Sequence, residues 1–240
     1  MFPGIGTLIN VIAIVLGAVL GKFGGNWLPQ RTRILITDVL GIVTLLGAAS
    51  ALISLWNGDM DSLPAGAPIL IVLGSLLIGG LIGSATKIEM KLESWGEGLK
   101  RRLSANSEGQ FVEGFVTASL IFVIGPLAIL GSISDGMSTG IEQLALKSTL
   151  DFFAAIAFAA TFGWGVALSA LPVGIYQGLW TVSGFFLGQL LDEVQIAAMT
   201  ATGGVLLIGI ALKLLNIRAI SIGDLLPALA IAPILVTLVV

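Results

Sequence analysis

Residues 115–136 read FVTASLIFVIGPLAILGSISDG. No charge occurs in it before Asp135, so the run is long enough to cross about 30 Å of hydrocarbon as a helix. Pro126 stands in its middle. Proline removes a backbone donor and its ring clashes with the preceding turn, so the span must kink or break at Gly125–Pro126. If it breaks, Pro126 suits the first position of a half-helix continuing from Leu127. The positive end of that half-helix would then point into the protein near mid-membrane. Its free N–H groups could meet an anion, and the released carbonyls around Phe122 a cation. If the span only kinks, neighbouring helices satisfy the same groups and the feature is one of packing. Both readings stand on the sequence.

Around this stretch the chain is apolar almost throughout. Of 240 residues, 56% are hydrophobic and 10% charged, with a mean hydropathy of +1.06. Soluble domains carry about a quarter charged residues, so the polar surface here is too small to cover a soluble globule and the solvent is lipid. An unpaired backbone cannot face lipid, which makes an all-α integral membrane protein the expected fold. Cysteine and histidine are both absent, and with them disulfides, thiol nucleophiles, imidazole bases and the usual transition-metal ligands. No G-x-x-x-x-G-K-[ST] loop occurs, which disfavours an ATP-driven pump. No enzyme activity, cofactor or metal is expected, and the net charge of −3 argues against nucleic acid as a partner. MFPGIGTLIN has no basic residue ahead of its apolar run and no small-residue cleavage pattern after it, so it reads as a first span.

Eight apolar runs are candidates for spans: roughly 5–21, 34–56, 67–85, 111–133, 148–171, 173–191, 195–215 and 219–240. Basic loops alternate with loops that lack Lys and Arg. Lys22, Arg31 and Arg33 follow the first span; Asp59 and Asp61 follow the second; five Lys or Arg lie between Lys87 and Arg102. Asp135 and Glu142, then Asp192 and Glu193, occupy base-free loops, and Lys213 and Arg218 flank the last. By the positive-inside rule this predicts a multi-pass membrane protein with both termini outside. In the third loop Ile88, Leu92, Trp95, Leu99 and Leu103 recur at helical spacing. That pattern predicts a short amphipathic helix on the inner leaflet, with Trp95 at headgroup depth and Lys100, Arg101 and Arg102 toward anionic lipid.

Three pairs of spans match in order. LINVIAIVLGAVLGK resembles IYQGLWTVSGFFLGQ, placing Asn10 on Gln177, Gly17 on Gly184 and Gly21 on Gly188. GIVTLLGAASAL resembles GGVLLIGIALKL, with Gly41 and Gly47 on Gly203 and Gly209. LGSLLIGGLIG resembles IGDLLPALAIA, with Gly74 on Gly223 and Ser75 on Asp224. Matched spans are five apart, so the units would cross in opposite directions, as in the inverted repeats of many secondary transporters. Independent recurrence of glycine-spaced packing faces is the alternative. The expected organisation is one transmembrane domain over 1–240: repeat 1 at 4–85, an interfacial helix at 86–110, a central broken helix and charged helix at 111–171, and repeat 2 at 172–240.

The candidate chemistry concentrates in LKSTLDFFAA, residues 146–155, where Lys147 and Asp151 share one helical face. Twenty apolar residues follow Asp151, and Ser148-x-x-Asp151 resembles a capping box. On that reading both charges are anchors at the outer interface, with Lys147 reaching water. On the other, they are intramembrane ionisable groups facing a cavity. Asn10 and Gln177 form a second candidate pair, offering donors and acceptors without charge, or else plain interhelical bonds. Gly125 and Pro126 belong to the site if the span is broken, and Asp224 is a candidate cation ligand.

The ordered set GTLIN…GAVLG, IGPLAILGSISDG, LKSTLD, YQG and LLPAL resembles the YqgA/YdfK-type family of bacterial polytopic inner-membrane proteins of unknown function. The resemblance extends over nearly the whole chain and implies a multi-pass membrane protein; it brings no substrate and no site residues. Three functions follow as expectations. The first is a secondary transporter of a small solute or ion by alternating access, with an anionic or zwitterionic solute favoured by Lys147 and a half-helix N-terminus. The second is a channel lined by re-entrant backbone, and the third a structural or regulatory membrane subunit. Partners expected are the bilayer, the solute and, from the glycine-rich helix faces, a second copy in a homodimer.

Overall fold

A computed structural model describes residues 2–25, 29–56, 60, 62–102, 110–124, 126–187 and 191–239. Among these residues all regular structure is helical. The α-helices are α1 (Ile5–Gly25), α2 (Gln30–Leu52), α3 (Ala67–Thr86), α4 (Ile88–Arg102), α5 (Gln110–Val123), α6 (Pro126–Gly136), α7 (Glu142–Phe162), α8 (Gly165–Leu168), α9 (Ala170–Leu187), α10 (Glu193–Leu214) and α11 (Ala228–Val239). Gly125, Gly188, Leu103, Asp59 and Asp61, used in the reading above, lie outside the described residues.

Six helical stretches among the described residues are long and apolar enough to cross a membrane, and α5 with α6 makes a seventh as a pair bent by 64°. The break falls where Pro126 predicts it, with Pro126 as the first residue of α6. The eighth expected span is shorter than its apolar run. Its apolar helical part is Gly223–Val239, beginning as a 3₁₀ turn at Gly223–Leu225 and becoming α-helix only at Ala228. Asn216 bends the backbone at φ 54°, and Pro227 cannot donate to a helix.

The boundaries of the fifth and sixth spans differ from 148–171 and 173–191. Helix α7 starts at Glu142, ahead of Lys147, and stops at Gly163, whose φ of 75° suits glycine. Ser148 is therefore inside the helix, and its hydroxyl donates to the Leu144 carbonyl at 2.6 Å. No capping box forms there, because hydrophobicity marks where lipid begins and helices routinely begin earlier. The reciprocal box instead opens α10, where Gln195 N–H donates to Asp192 at 2.8 Å and Asp192 N–H to Gln195 Oε1 at 3.0 Å.

The chain forms two compact units. The first comprises Met1–Leu40, Leu92–Val123 and Leu127–Leu190. In it α1 runs parallel to α7, with Gly6 against Leu144 at one end and Gly25 against Ala160 at the other. A Cβ at Gly17, Gly21 or Gly25 would collide with the carbonyl oxygens of Phe152, Ile156 and Ala160 respectively. Glycine at these positions lets the two backbones touch, which is how apolar helices gain contact in lipid. Helix α9 lies antiparallel to α1, with Thr7 beside Thr181 and Val11 beside Gly174. Gly136 and Gly184 similarly bring α6 and α9 into backbone contact.

The second unit comprises Gly41–Lys91, Ile124–Pro126 and Leu191–Val240. Helix α3 is antiparallel to α11 and the turn before it, through Gly74 with Leu235, Gly79 with Ala228 and Gly83 with Asp224. Helix α10 is antiparallel to the second half of α2, through Gly41 with Leu215 and Gly204 with Ala51. Met60, Leu63, Ile71, Ala198 and Val236 form its packed centre. Asp224 closes a reciprocal clamp here: its carboxylate accepts from Glu89 N–H at 3.0 Å, and Glu89 Oε2 accepts from Gly223 N–H at 2.8 Å.

Candidate functional site

In α1 the buried positions are Gly6, Asn10, Ile14, Gly17, Ala18, Gly21 and Gly25. They form one stripe at helical spacing, and Asn10 is its only residue with a polar side chain. In α7 the buried positions include Leu144, Lys147, Ser148, Asp151 and Ala155. The four-residue spacing of Lys147 and Asp151 thus turns both charges inward. Because α1 and α7 run parallel and in contact, Asn10 arrives beside Asp151.

The cluster joins three helices. Asn10 Nδ2 donates to Asp151 Oδ2 at 3.0 Å and to Gln177 Oε1, on α9, at 3.2 Å. Lys147 Nζ pairs with the same Asp151 oxygen. Asn10 and Gln177 are wholly buried, and Lys147 and Asp151 are 6% and 7% exposed. At 1.5 Å per residue, Asp151 lies about 14 Å along α7 from its start, near the middle of a helix of membrane-crossing length. Both side chains therefore face the protein interior rather than its surface.

The cluster also adjoins the last turn of α5. Lys147 Nζ lies 5.9 Å from the centroid of the Phe122 ring, within cation–π range. Phe122 is in the last turn of α5, where helix carbonyls lack intrahelical partners and the dipole is negative. A cation beside that end is favoured on both counts. Phe122 packs edge-to-face on buried Phe158, centroids 6.2 Å apart.

Asp151 and Lys147 cancel in charge, while the amides retain unused capacity. Asn10 uses its NH₂ group on two acceptors, which leaves Oδ1 buried without a partner among the described residues. Gln177 accepts through Oε1 and leaves Nε2 equally unpartnered. Thr117 Oγ1 on α5 is in the same state. Unpaired buried polar atoms cost on the order of 1–3 kcal/mol each, and such groups in native proteins call for an explanation, such as a bound water or ion.

One helical turn away on the same pair of helices, Thr7 Oγ1 and Thr181 Oγ1 are 3.1 Å apart. Asp135, 2% exposed at the end of α6, accepts from Gly6 N–H at 3.0 Å and Thr7 N–H at 3.3 Å. These are first-turn donors of α1, and an anion suits them. A cavity of about 140 Å³ lined by Phe2, Asp135, Ser138 and Thr139 lies beside them.

Of the candidate residues, Asn10, Lys147, Asp151 and Gln177 come together. Asp224 belongs to the second unit, where its Oδ1 accepts the Glu89 amide at the start of α4. Pro126 opens α6, and Gly125 lies outside the described residues. Sequence reasoning missed Asp135, Thr7 and Thr181 as a group. Asp135 was readable only as a loop acid, since its partners are more than 120 positions away. Among the described residues no group of three His, Cys, Asp or Glu could hold a metal.

Comparison with known proteins places the chain in a wider group. The family described as "Protein of unknown function (DUF554)" matches residues 5–237. An "Uncharacterized membrane protein YdfK" from Bacillus subtilis is 26% identical over 232 residues, covering 96% of this chain and 95% of its own. An "Uncharacterized protein YqgA" from Escherichia coli is 30% identical over 232 residues, 95% of this chain and 94% of its own. No solved structure matches.

Proposed function

The chain belongs to the DUF554 family of unknown function, and we propose that it is a secondary transporter that moves a small solute or ion by alternating access. The observation that carries this reading is the Asn10–Asp151–Lys147–Gln177 cluster, buried in the first unit beside the broken span. Ionisable groups at such depth are costly and normally serve a pathway or a coupling step. Broken helices at mid-membrane are the usual seat of transporter sites.

Helix pairing supports the inverted repeat within this proposal. Each of the three matched pairs, α1 with α9, α2 with α10 and α3 with α11, packs antiparallel on its own counterpart. In the first unit Asn10 bonds to Gln177, its own match. In the second, Gly79 meets Ala228, which is its match at the offset that pairs Gly74 with Gly223. A local two-fold relation requires such self-pairs. The charge-neutral cluster, with one amide oxygen and one amide nitrogen to spare, favours a zwitterionic solute over a simple anion. Thr7–Thr181 and the Asp135 cap would close the site from the base-free side. The proposal includes a bacterial inner membrane, termini outside and a homodimer. The α1 glycine stripe is occupied by α7, so a second copy would use other faces.

Reconstitution tests the function. Proteoliposomes are given labelled amino acids and carboxylates under imposed proton or sodium gradients. Saturable, gradient-driven uptake lost in Asn10→Leu and Gln177→Leu is the expected result. Ohmic single-channel current would replace the transporter with a channel. No flux, with stoichiometric co-purification of another membrane protein, would make it a subunit.

A further inference from the structure

A second cavity, of about 380 Å³, lies in the first unit between α4, α5 and α9, and none of the polar cluster's residues lines it. Trp95 and Leu99 of α4, Phe115 of α5, and Leu171 and Ile175 of α9 supply apolar walls. Arg102, the last residue of α4, lines it as well. Its volume falls within the range of small-ligand pockets, about 300–1,000 Å³. Leu171, Ile175 and Trp95 are each more than half exposed, so the groove opens to whatever surrounds the protein, which for spans of this composition is lipid. Lys100, Arg101 and Arg102 end α4 together, and among the described residues none has an ion-pair partner.

We propose that this groove is a binding site for an anionic phospholipid of the surrounding bilayer, an acyl chain lying along Trp95, Leu99 and Ile175 and the headgroup phosphate at Arg102. The charge pattern selects this occupant. Apolar walls alone would suit any chain or helix face, but Arg102 lines one end, with Lys100 and Arg101 next to it in sequence, and that end favours an anion. A phosphate tethered to hydrocarbon satisfies both ends of the groove, and basic pockets beside membrane helices take such headgroups. The inference does not depend on what the polar cluster transports.

Gly98 provides a clean test. It lines the groove, a Cβ there meets nothing within 4 Å, and its backbone is ordinary helix. Gly98→Phe therefore fills the groove without changing charge, while Gly98→Ala leaves it open. Wild type and variants are held in nanodiscs of equal phosphatidylglycerol and phosphatidylcholine, and retained lipid is counted by native mass spectrometry after detergent release. Wild type and Gly98→Ala should retain phosphatidylglycerol at least about fivefold over phosphatidylcholine, the preference one surface cation supplies. Gly98→Phe and Arg102→Gln should both lose that excess. Equal retention of the two lipids by wild type overturns the proposal. So does undiminished phosphatidylglycerol on Gly98→Phe, which would mean surface attraction outside the groove. A dimer that Gly98→Phe dissociates with no change in lipid would assign the groove to a second copy instead.

Discussion

Lys147 and Asp151 hold each other's charge in a place where either alone would be expensive. Both are more than nine-tenths buried, so removing one partner leaves an uncompensated ion, a change that costs about 3–5 kcal/mol. Replacing both with apolar groups of similar volume is often neutral or stabilising. Lys147→Met and Asp151→Leu should each lower the midpoint of denaturation in detergent, and the double variant should recover it. Uptake should stay absent in the double variant. If uptake returned along with stability, the pair would be structural glue and the proposed site would lose its charged half. Asn10 matters at this scale too, because one NH₂ group ties α7 to α9 and leaves its oxygen unclaimed.

Several helix pairs among the described residues meet backbone to backbone at glycines, and α1 shows the consequence. Gly21 faces the Ile156 carbonyl, whereas Gly24, three residues on, has nothing within 4 Å of a would-be Cβ. Gly21→Leu overpacks the α1–α7 seam and should cost about 3 kcal/mol, the upper part of the usual range. Gly24→Leu should stay within about 0.5 kcal/mol, as for other unpacked surface sites. Chemical unfolding of the two variants side by side checks this, and equal effects would mean the seam is not as tight as the geometry requires. The broken span belongs to the same scale. Pro126 sits at the first position of α6, where a missing N–H is harmless, so Pro126→Ala should fold normally. If the break is a working hinge, the variant keeps its stability and loses turnover.

Across the whole molecule, direction of crossing can be checked without altering any native thiol, since the chain has none. Thr139→Cys, in the turn between α6 and α7, should react with an impermeant maleimide from outside intact cells. Ser94→Cys, on the basic helix α4, should react only after permeabilisation. Labelling on the opposite sides would invert the assignment of the termini. Spans one and five, expected to cross the same way, are parallel in α1 and α7. Matched spans, expected to cross oppositely, are antiparallel.

Composition and one proline by themselves determined that this is a multi-pass helical membrane protein with a kink or break at Pro126, and the structure decided for the break. Those properties arise from backbone sterics and from exchange between water and lipid, which act locally and are written in each segment. The amphipathic α4 was legible for the same reason, since helical period alone defines its face. The candidate site was legible only as a set of unusual residues: Asn10, Lys147, Asp151 and Gln177 stood out because polar groups in apolar runs are rare. Their depth and union were not. Helix α7 begins at Glu142 because helix propagation ignores the hydrophobic boundary, and that early start carries Lys147 and Asp151 inward. Asn10 reaches them because a glycine seam seats α1 on α7, and Asp135 caps α1 from more than 120 positions away. These are contacts between segments distant in sequence, decided by which backbones can approach most closely, and only the tertiary structure holds that information.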